Sequence, residues 1–508
     1  MSDHDYNLFT HFRDGFAGKE DKTLLITGRE SSLTFADVDR QSARIAEYLC
    51  ELGVKPGDRV SVQVEKSPEN LCLYLACLRA GFMFHPLNPS YKKAELEYFI
   101  GNADPALIVC DSSKEAELGD IAAAAGVKRV MTLDVDGSGT LSNGARAKSG
   151  EFATLPRHRD DVAALLYSSG TTGVPKGIVL THGNLFANTE TLVAAWGFTE
   201  NDCLLHALPI FHVHGLFVAI GCAMFSGASM RWLPGFDAHL VVGLLPECTV
   251  MMGVPTYYTR LLAEPSFAAE TCSNLRLFIS GSAPLLAETF VEFERRTGHR
   301  ILERYGMTET NMNTSNPLDG ERKPGTVGPP LPGVEARITD DDGRLLPAGE
   351  IGNLQIRGPN VFAEYWRMPD KTAEDFTDDG FFDTGDMGRI DPDGYVVLVG
   401  RAKDLIITGG LNVYPKEVEL FIDDLPGVRE SAVIGVPHAD FGEGVVAVVV
   451  AERDATTSEL DILTACRENL ANFKMPKKVV FVDKLPRNTM AKVQKNRLRE
   501  FYENVLSE

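Results

Sequence analysis

Along residues 34–53, TFADVDRQSARIAEYLCELG, the apolar positions Val38, Ile45 and Leu49 fall on one face of a helix, with charged residues filling the other. Thr34 stands where an N-cap belongs, Asp37 follows at the capping-box position, and Gly53 is placed to end the helix. Elsewhere the period shortens. DRVSVQVEK (58–66), ALIVCD (106–111), DVAALLYS (161–168) and RLFISG (276–281) read as strands. From residue 24 onward such runs alternate with amphipathic helical segments, which predicts α/β layers built on parallel sheets. The texture changes near 317–400, where Gly, Pro and Asp separate short alternating runs and predict a small antiparallel β unit. After GRAKD (400–404) the α/β rhythm returns. The expected fold class is α/β: a large N-terminal domain of stacked α/β sheets with the small β unit (1–400), a hinge at 401–404, and a smaller α+β C-terminal domain (405–508).

At 508 residues the chain is too long for one core and should hold about three to four folding units. Apolar residues make up 44% and charged residues 24%, as in ordinary globular proteins. The net charge of −21 disfavours broad binding to nucleic acid or to an anionic membrane, both of which need a positive surface. Nine scattered cysteines form no CxxC pair, which fits buried free thiols in a reducing cytoplasm. The first residues, MSDHDYNLFTHF, carry no basic stretch followed by an apolar core, so no secretory signal is expected. The most apolar run, residues 215–225, falls short of the ~20 residues that span a bilayer. Residues 471–500 hold nine Lys and Arg against Asp483 and Glu500. That stretch is either a solvated basic face or a lid presented to polyphosphate.

The segment YSSGTTGVPKG (167–177) has the composition of a phosphate loop: glycines let backbone N–H groups converge, hydroxyls add donors, and Lys176 adds a mobile cation. It is not a Walker A loop, because Pro175-Lys176-Gly177 stands where Gly-Lys-Ser/Thr is required. LPIFHVHG (208–215), SGSAPL (280–285), ERYGMTE (303–309), TGD (384–386), GRAKDLIITGGLNVYPKEVE (400–419) and LPRNTMAKVQK (485–495) follow in order. Together with the loop these motifs resemble the acyl-adenylating superfamily of acyl-CoA synthetases, peptide-synthetase adenylation domains and luciferases.

The resemblance implies two steps: a carboxylate attacks the α-phosphate of ATP to give acyl-AMP and pyrophosphate, and a thiol then takes the acyl group and releases AMP. It implies ATP, Mg²⁺ and coenzyme A as the small molecules used. Thr171, Thr172 and Lys176 would hold the β- and γ-phosphates, with Ser168, Ser169, Gly170 and Gly173 shaping the loop. Glu309 resembles the Mg²⁺-linked carboxylate, with Thr308 beside it a phosphate donor. Tyr305, in the run Tyr305-Gly306-Met307, resembles the aromatic that packs on adenine, and the backbone of Gly281, Ser282 and Ala283 would line the same ring. Asp386 and Arg401 resemble ribose contacts. Lys403 lies at the position where the superfamily's small, mobile domain rotates, and Gly409 and Gly410 fall where its pantetheine tunnel needs space. Lys492 resembles the lysine that bridges the reacting carboxylate and the α-phosphate. The superfamily usually places Gly before this lysine; here Ala491 stands there, at a cost of about 1 kcal/mol if the position needs positive φ.

The acid is read from Arg304. Relatives that activate fatty or aromatic acids often carry Gly before the YG pair, and a fixed cation there is costly without an anion. A substrate with a second carboxylate supplies one, and His212 and Ser282 could help orient it. The alternative is a purely structural Arg304 paired with an internal acid. Several longer runs resemble the malonate-activating members of the superfamily, which implies malonate, with methylmalonate as a rival. An adenylation enzyme serving a separate carrier protein and a nucleotide sensor without turnover are the other readings.

Overall fold

The Thr34 hydroxyl accepts the Asp37 N–H while the Asp37 carboxylate accepts the Thr34 N–H, and the helix Phe35–Glu51 runs on from that capping box. Val38, Ile45 and Leu49 are buried on its inner face, as their spacing predicts. The structure is a computed structural model and describes residues 5–28, 31–168, 175–408, 411–438, 441–453, 455–470, 472–488 and 492–506. The four predicted strands form, trimmed at their ends, as Arg59–Gln63, Leu107–Cys110, Val162–Ser168 and Leu277–Ser280.

The chain divides into two compact units. The first comprises Met1–Pro324, Gly328–Glu335 and Ile356–Phe382. It holds two mostly parallel sheets whose helices cross over between neighbouring strands. One has seven strands, running from the edge pair Glu364–Tyr365 and Lys176–Thr181 through Val162–Ser168, Met83–Pro86, Arg59–Gln63 and Leu107–Cys110 to Val130–Thr132. The other has eight, with Leu302–Met307 paired parallel to Leu277–Ser280 and antiparallel to Asn311–Ser315. Around Phe278, Phe293 and Tyr258 an aromatic core fills the space between this sheet and its helices.

The second unit comprises Gly325–Val327, Ala336–Gln355 and Asp383–Glu508, so most of the small antiparallel sheet groups with it. Its centre is the antiparallel pair Val428–His438 and Gly442–Ala451. Val445, Ala447 and Val449 enter one core while Val446, Val448 and Val450 enter another, which is why residues 445–450 are apolar at every position. The division expected at 401–404 concerns motion and returns below as a proposal. Among the described residues no helix is long and apolar enough to cross a membrane.

Two buried histidines tie the first unit together. The Leu8 N–H donates to His182 Nδ1 at 3.1 Å, and Ser61 Oγ meets His85 Nδ1 at 2.8 Å. Burial first, then Arg157 beside His182 and Arg59 beside His85, pushes both imidazoles down to about 3. Both values lie below the ~6.5 of an unfolded histidine, so this stability is fully present above pH ~6.5 and is lost as pH falls towards 3, at up to about 1.4 kcal/mol per pH unit for each ring. His182→Asn keeps an acceptor for Leu8 but cannot titrate. Urea unfolding between pH 6.5 and 5 should therefore show a flatter pH dependence for this variant than for the parent chain, and equal slopes would contradict the assignment.

Candidate active site

Arg304 lies on the strand Leu302–Met307 with 2% of its surface exposed. Its Nε and Nη2 have no hydrogen-bond partner among the described residues, and no carboxylate pairs with it there. Among the described residues no internal acid pairs with this arginine. Burial pushes its pKa down to about 10, partly offset by the Tyr258 hydroxyl, so the guanidinium still carries its charge at neutral pH. A buried, unpaired cation of this kind costs several kcal/mol unless an anion joins it. Gly281 makes room for it: a methyl group at that position would overlap the Arg304 guanidinium.

The next residue, Ser282, adopts a left-handed backbone (φ 71°), an uncommon conformation for a side chain other than glycine. Its Oγ lies 3.2 Å from His214 Nδ1. His214 is buried and its Nε2 has no partner among the described residues. Burial first, then Arg304, His206 and His212, pushes its pKa far below the usual range, so the ring is neutral. Sequence reasoning chose His212 from PIFHVHG. The structure brings His214 to Ser282, while the half-buried His212 lies tilted against Phe211, ring centres 4.7 Å apart. Spacing alone does not say which of the two histidines in the loop meets Ser282.

Ser169, Gly170, Thr171, Thr172 and Gly173 of the phosphate loop lie outside the described residues, as do Gly409, Gly410 and Ala491. The stems of the loop are described. Ser168 and Lys176 are partners across antiparallel strands, and the Tyr98 hydroxyl donates to the Pro175 carbonyl at 2.7 Å. Lys176 Nζ is 3.3 Å from both Asp375 Oδ2 and the Tyr365 hydroxyl. Tyr305 is buried, its hydroxyl 3.8 Å from Met307 Sδ. Gly306 is required where the strand meets its hairpin partner, because a side chain there would strike the Asn311 carbonyl. Ala283, Met307 and Thr308 are half-buried, and Glu309 is buried.

The second unit holds its own cluster. Asp386 and Arg401 face each other in register across a hairpin, with Arg401 Nε 2.6 Å from Asp386 Oδ1. Thr384 Oγ1 accepts the Asp386 N–H at 3.0 Å and Arg401 Nη1 donates to the Thr384 carbonyl at 3.1 Å, so the TGD turn and the arginine brace one another. Lys403 sits on the short turn Ala402–Asp404 that follows. Lys492 is exposed at one end of a loop closed by paired bonds: its N–H donates to Asn488 Oδ1 at 3.0 Å and its carbonyl accepts from the Asn488 N–H at 2.9 Å. Of the basic tail, Lys474, Lys478, Arg487, Lys495 and Arg499 pair with Glu417, Glu459, Glu430, Glu419 and Asp404 of the same unit. Most of that charge is thus neutralised locally rather than presented as a uniform face.

Comparison with known proteins sets this geometry in context. The profile of the AMP-binding enzymes matches residues 12–366, and that of the AMP-binding enzyme C-terminal domain matches 417–492. The malonate–CoA ligase of Arabidopsis thaliana is 36% identical over 487 residues, which cover 89% of this chain and 79% of that protein. A long-chain-fatty-acid–CoA ligase of Bacillus subtilis is 32% identical over 523 residues, covering 96% and 93%. The crystal structure of ATP-bound MatB from Rhodopseudomonas palustris superposes with a TM-score of 0.97 at 55% identity, covering 99% of this chain and 100% of that one.

Gly281→Ala should cost about 1–3 kcal/mol through overlap with Arg304. Adding Arg304→Ala should return much of that loss, because the second change removes the atoms in collision. Chemical denaturation of the single and double variants checks the coupling, and additive losses would contradict it.

Proposed function

The chain belongs to the family of AMP-binding enzymes, and from that premise we propose that it joins malonate to coenzyme A, using ATP through a malonyl-AMP intermediate. One carboxylate oxygen of malonate attacks the α-phosphorus, the bond to the β-phosphate oxygen breaks, and pyrophosphate leaves. The coenzyme A sulfur then attacks the acyl carbon, the bond to the AMP oxygen breaks, and the thiol proton passes to solvent. The observation that carries the choice of acid is the buried Arg304 guanidinium, which no carboxylate among the described residues pairs with. It supplies the charge that a second carboxylate needs, and the neutral His214 and the Ser282 hydroxyl stand beside it. The family activates acids as different as malonate and long-chain fatty acids, so membership alone does not choose.

The other residues act by positioning and by charge. Lys176, with the loop that precedes it, holds the β- and γ-phosphates, and in the absence of nucleotide its cation rests on Asp375. Tyr305 packs on adenine, and Asp386, oriented by Arg401, accepts from the ribose hydroxyls. Lys492 offsets the charge that develops between carboxylate and α-phosphate. A single buried carboxylate, Glu309, suits Mg²⁺, which takes few protein ligands and completes its shell with phosphate and water; when bound, the ion supplies neutralisation of phosphate charge. Residues 401–404 serve as the hinge, with Lys403 on it. All nine cysteines are free, which supports a reducing, cytoplasmic setting. Methylmalonate is a second substrate, since one methyl group is worth only about 1–3 kcal/mol of discrimination.

Arg304→Met should lower kcat/KM for malonate by about two to four powers of ten, from the roughly 3–5 kcal/mol that breaking a desolvated charge pair costs. ATP affinity should stay within about twofold, because the arginine contacts only the acid. Malonate-dependent AMP release measures the first and equilibrium binding the second; undiminished malonate turnover would remove the proposal. Lys492→Ala should slow malonyl-AMP formation by on the order of 10²–10³ while sparing thioester formation from preformed malonyl-AMP. Equal losses in the two half-reactions would rule that role out.

A further inference from the structure

Lys66 is buried, with 6% of its surface exposed, and no carboxylate pairs with it among the described residues. Its Nζ reaches His206 Nδ1 at 2.8 Å and the His206 carbonyl at 2.7 Å, and lies 4.3 Å from the centre of the Trp232 ring. All three donor directions of the head group are therefore directed at the ends of two adjacent strands, Cys203–His206 and Ser229–Trp232. On the far side of the imidazole, His206 Nε2 is 2.9 Å from the Gly215 carbonyl. With Nδ1 occupied as an acceptor, the ring's hydrogen must sit on Nε2, so His206 donates to Gly215. That bond closes the loop 207–214.

The loop carries both His212 and His214, and its backbone leaves no slack at Gly215, where a side chain would strike the Pro209 carbonyl. A cavity of about 150 Å³ is lined by Pro209, Ile210 and Phe211 of the loop together with Lys66 and Asn70. We propose that Lys66 and His206 are positioning residues for the acid pocket: Lys66 sets the tautomer of His206, His206 pins Gly215, and the pinned loop places His214 against Ser282 beside Arg304. This rests on the reading of Arg304, His214 and Ser282 as the malonate site. Burial pushes both groups' pKa values down, which keeps the imidazole neutral and able to relay one hydrogen-bond direction.

The test uses three variants of the full chain. Lys66→Met keeps the stem and removes the donor. His206→Asn places its oxygen near Nδ1 and loses the reach to Gly215, whereas His206→Gln extends an amide nitrogen to the position of Nε2. Malonate-dependent pyrophosphate release should show KM for malonate raised on the order of tenfold to a hundredfold in Lys66→Met and His206→Asn. KM for ATP should stay within about twofold, and His206→Gln should recover most of the malonate affinity. In ¹⁵N spectra the His206 ring should be the Nε2–H tautomer in the parent chain and a tautomer mixture in Lys66→Met. An unchanged malonate KM in Lys66→Met, equal rises in both KM values, or Asn and Gln variants that behave alike would overturn the proposal. Failure of a variant to fold leaves the ¹⁵N signature of the parent chain, where an Nδ1–H ring would overturn it. Absence of malonate-dependent pyrophosphate release in the parent chain would instead overturn the malonate reading.

Discussion

A charged guanidinium held in the interior, with no anion among the described residues to pair with it, is the constraint around which the first unit is organised. Water would stabilise Arg304 by several kcal/mol more than the apolar surroundings do. The neighbouring residues make sense as concessions to it. Gly281 gives up its side chain, Ser282 accepts a left-handed backbone, and His214 stays neutral instead of adding a second cation. None of these choices improves the fold by itself. Together they keep one positive charge fixed in the interior, and under the proposed function the energy withheld in folding is recovered when a doubly anionic acid binds.

The second unit handles its charges differently. Asp386 is paired with Arg401 in register, and most of the basic tail is tied to nearby acids. Lys492 is located through its backbone, which Asn488 holds at both N–H and carbonyl, so the side chain stays exposed while its origin is fixed. A fixed backbone origin suits the role proposed for Lys492, which is to meet charge as it develops.

Much of this was legible along the chain, and what was not shares a cause. The helix Phe35–Glu51 announced its cap, its face and its end because each depends on neighbours within a turn. Arg304 stood out because a cation replaced glycine inside a recognisable motif. The pairing of Asp386 with Arg401 emerged only as two separate motifs, since a hairpin register joins them. That His214 meets Ser282 is not legible beside His212 in the same motif, because it depends on how the loop is pinned. The strut that pins it joins Lys66 to His206 across 140 positions, and nothing local marks either residue. The grouping of the small sheet with the C-terminal unit likewise depends on contacts distant in sequence.

The central claim is that Arg304 awaits a negative charge rather than a shape. Malonic acid monoamide has nearly the size and geometry of malonate but lacks the second charge. Comparing kcat/KM for the two acids in the unaltered protein, by AMP release with coenzyme A present, tests the claim from the substrate side. The monoamide should be poorer by about a hundredfold or more, as expected when a buried cation meets a neutral group. Comparable values for the two acids would contradict the account.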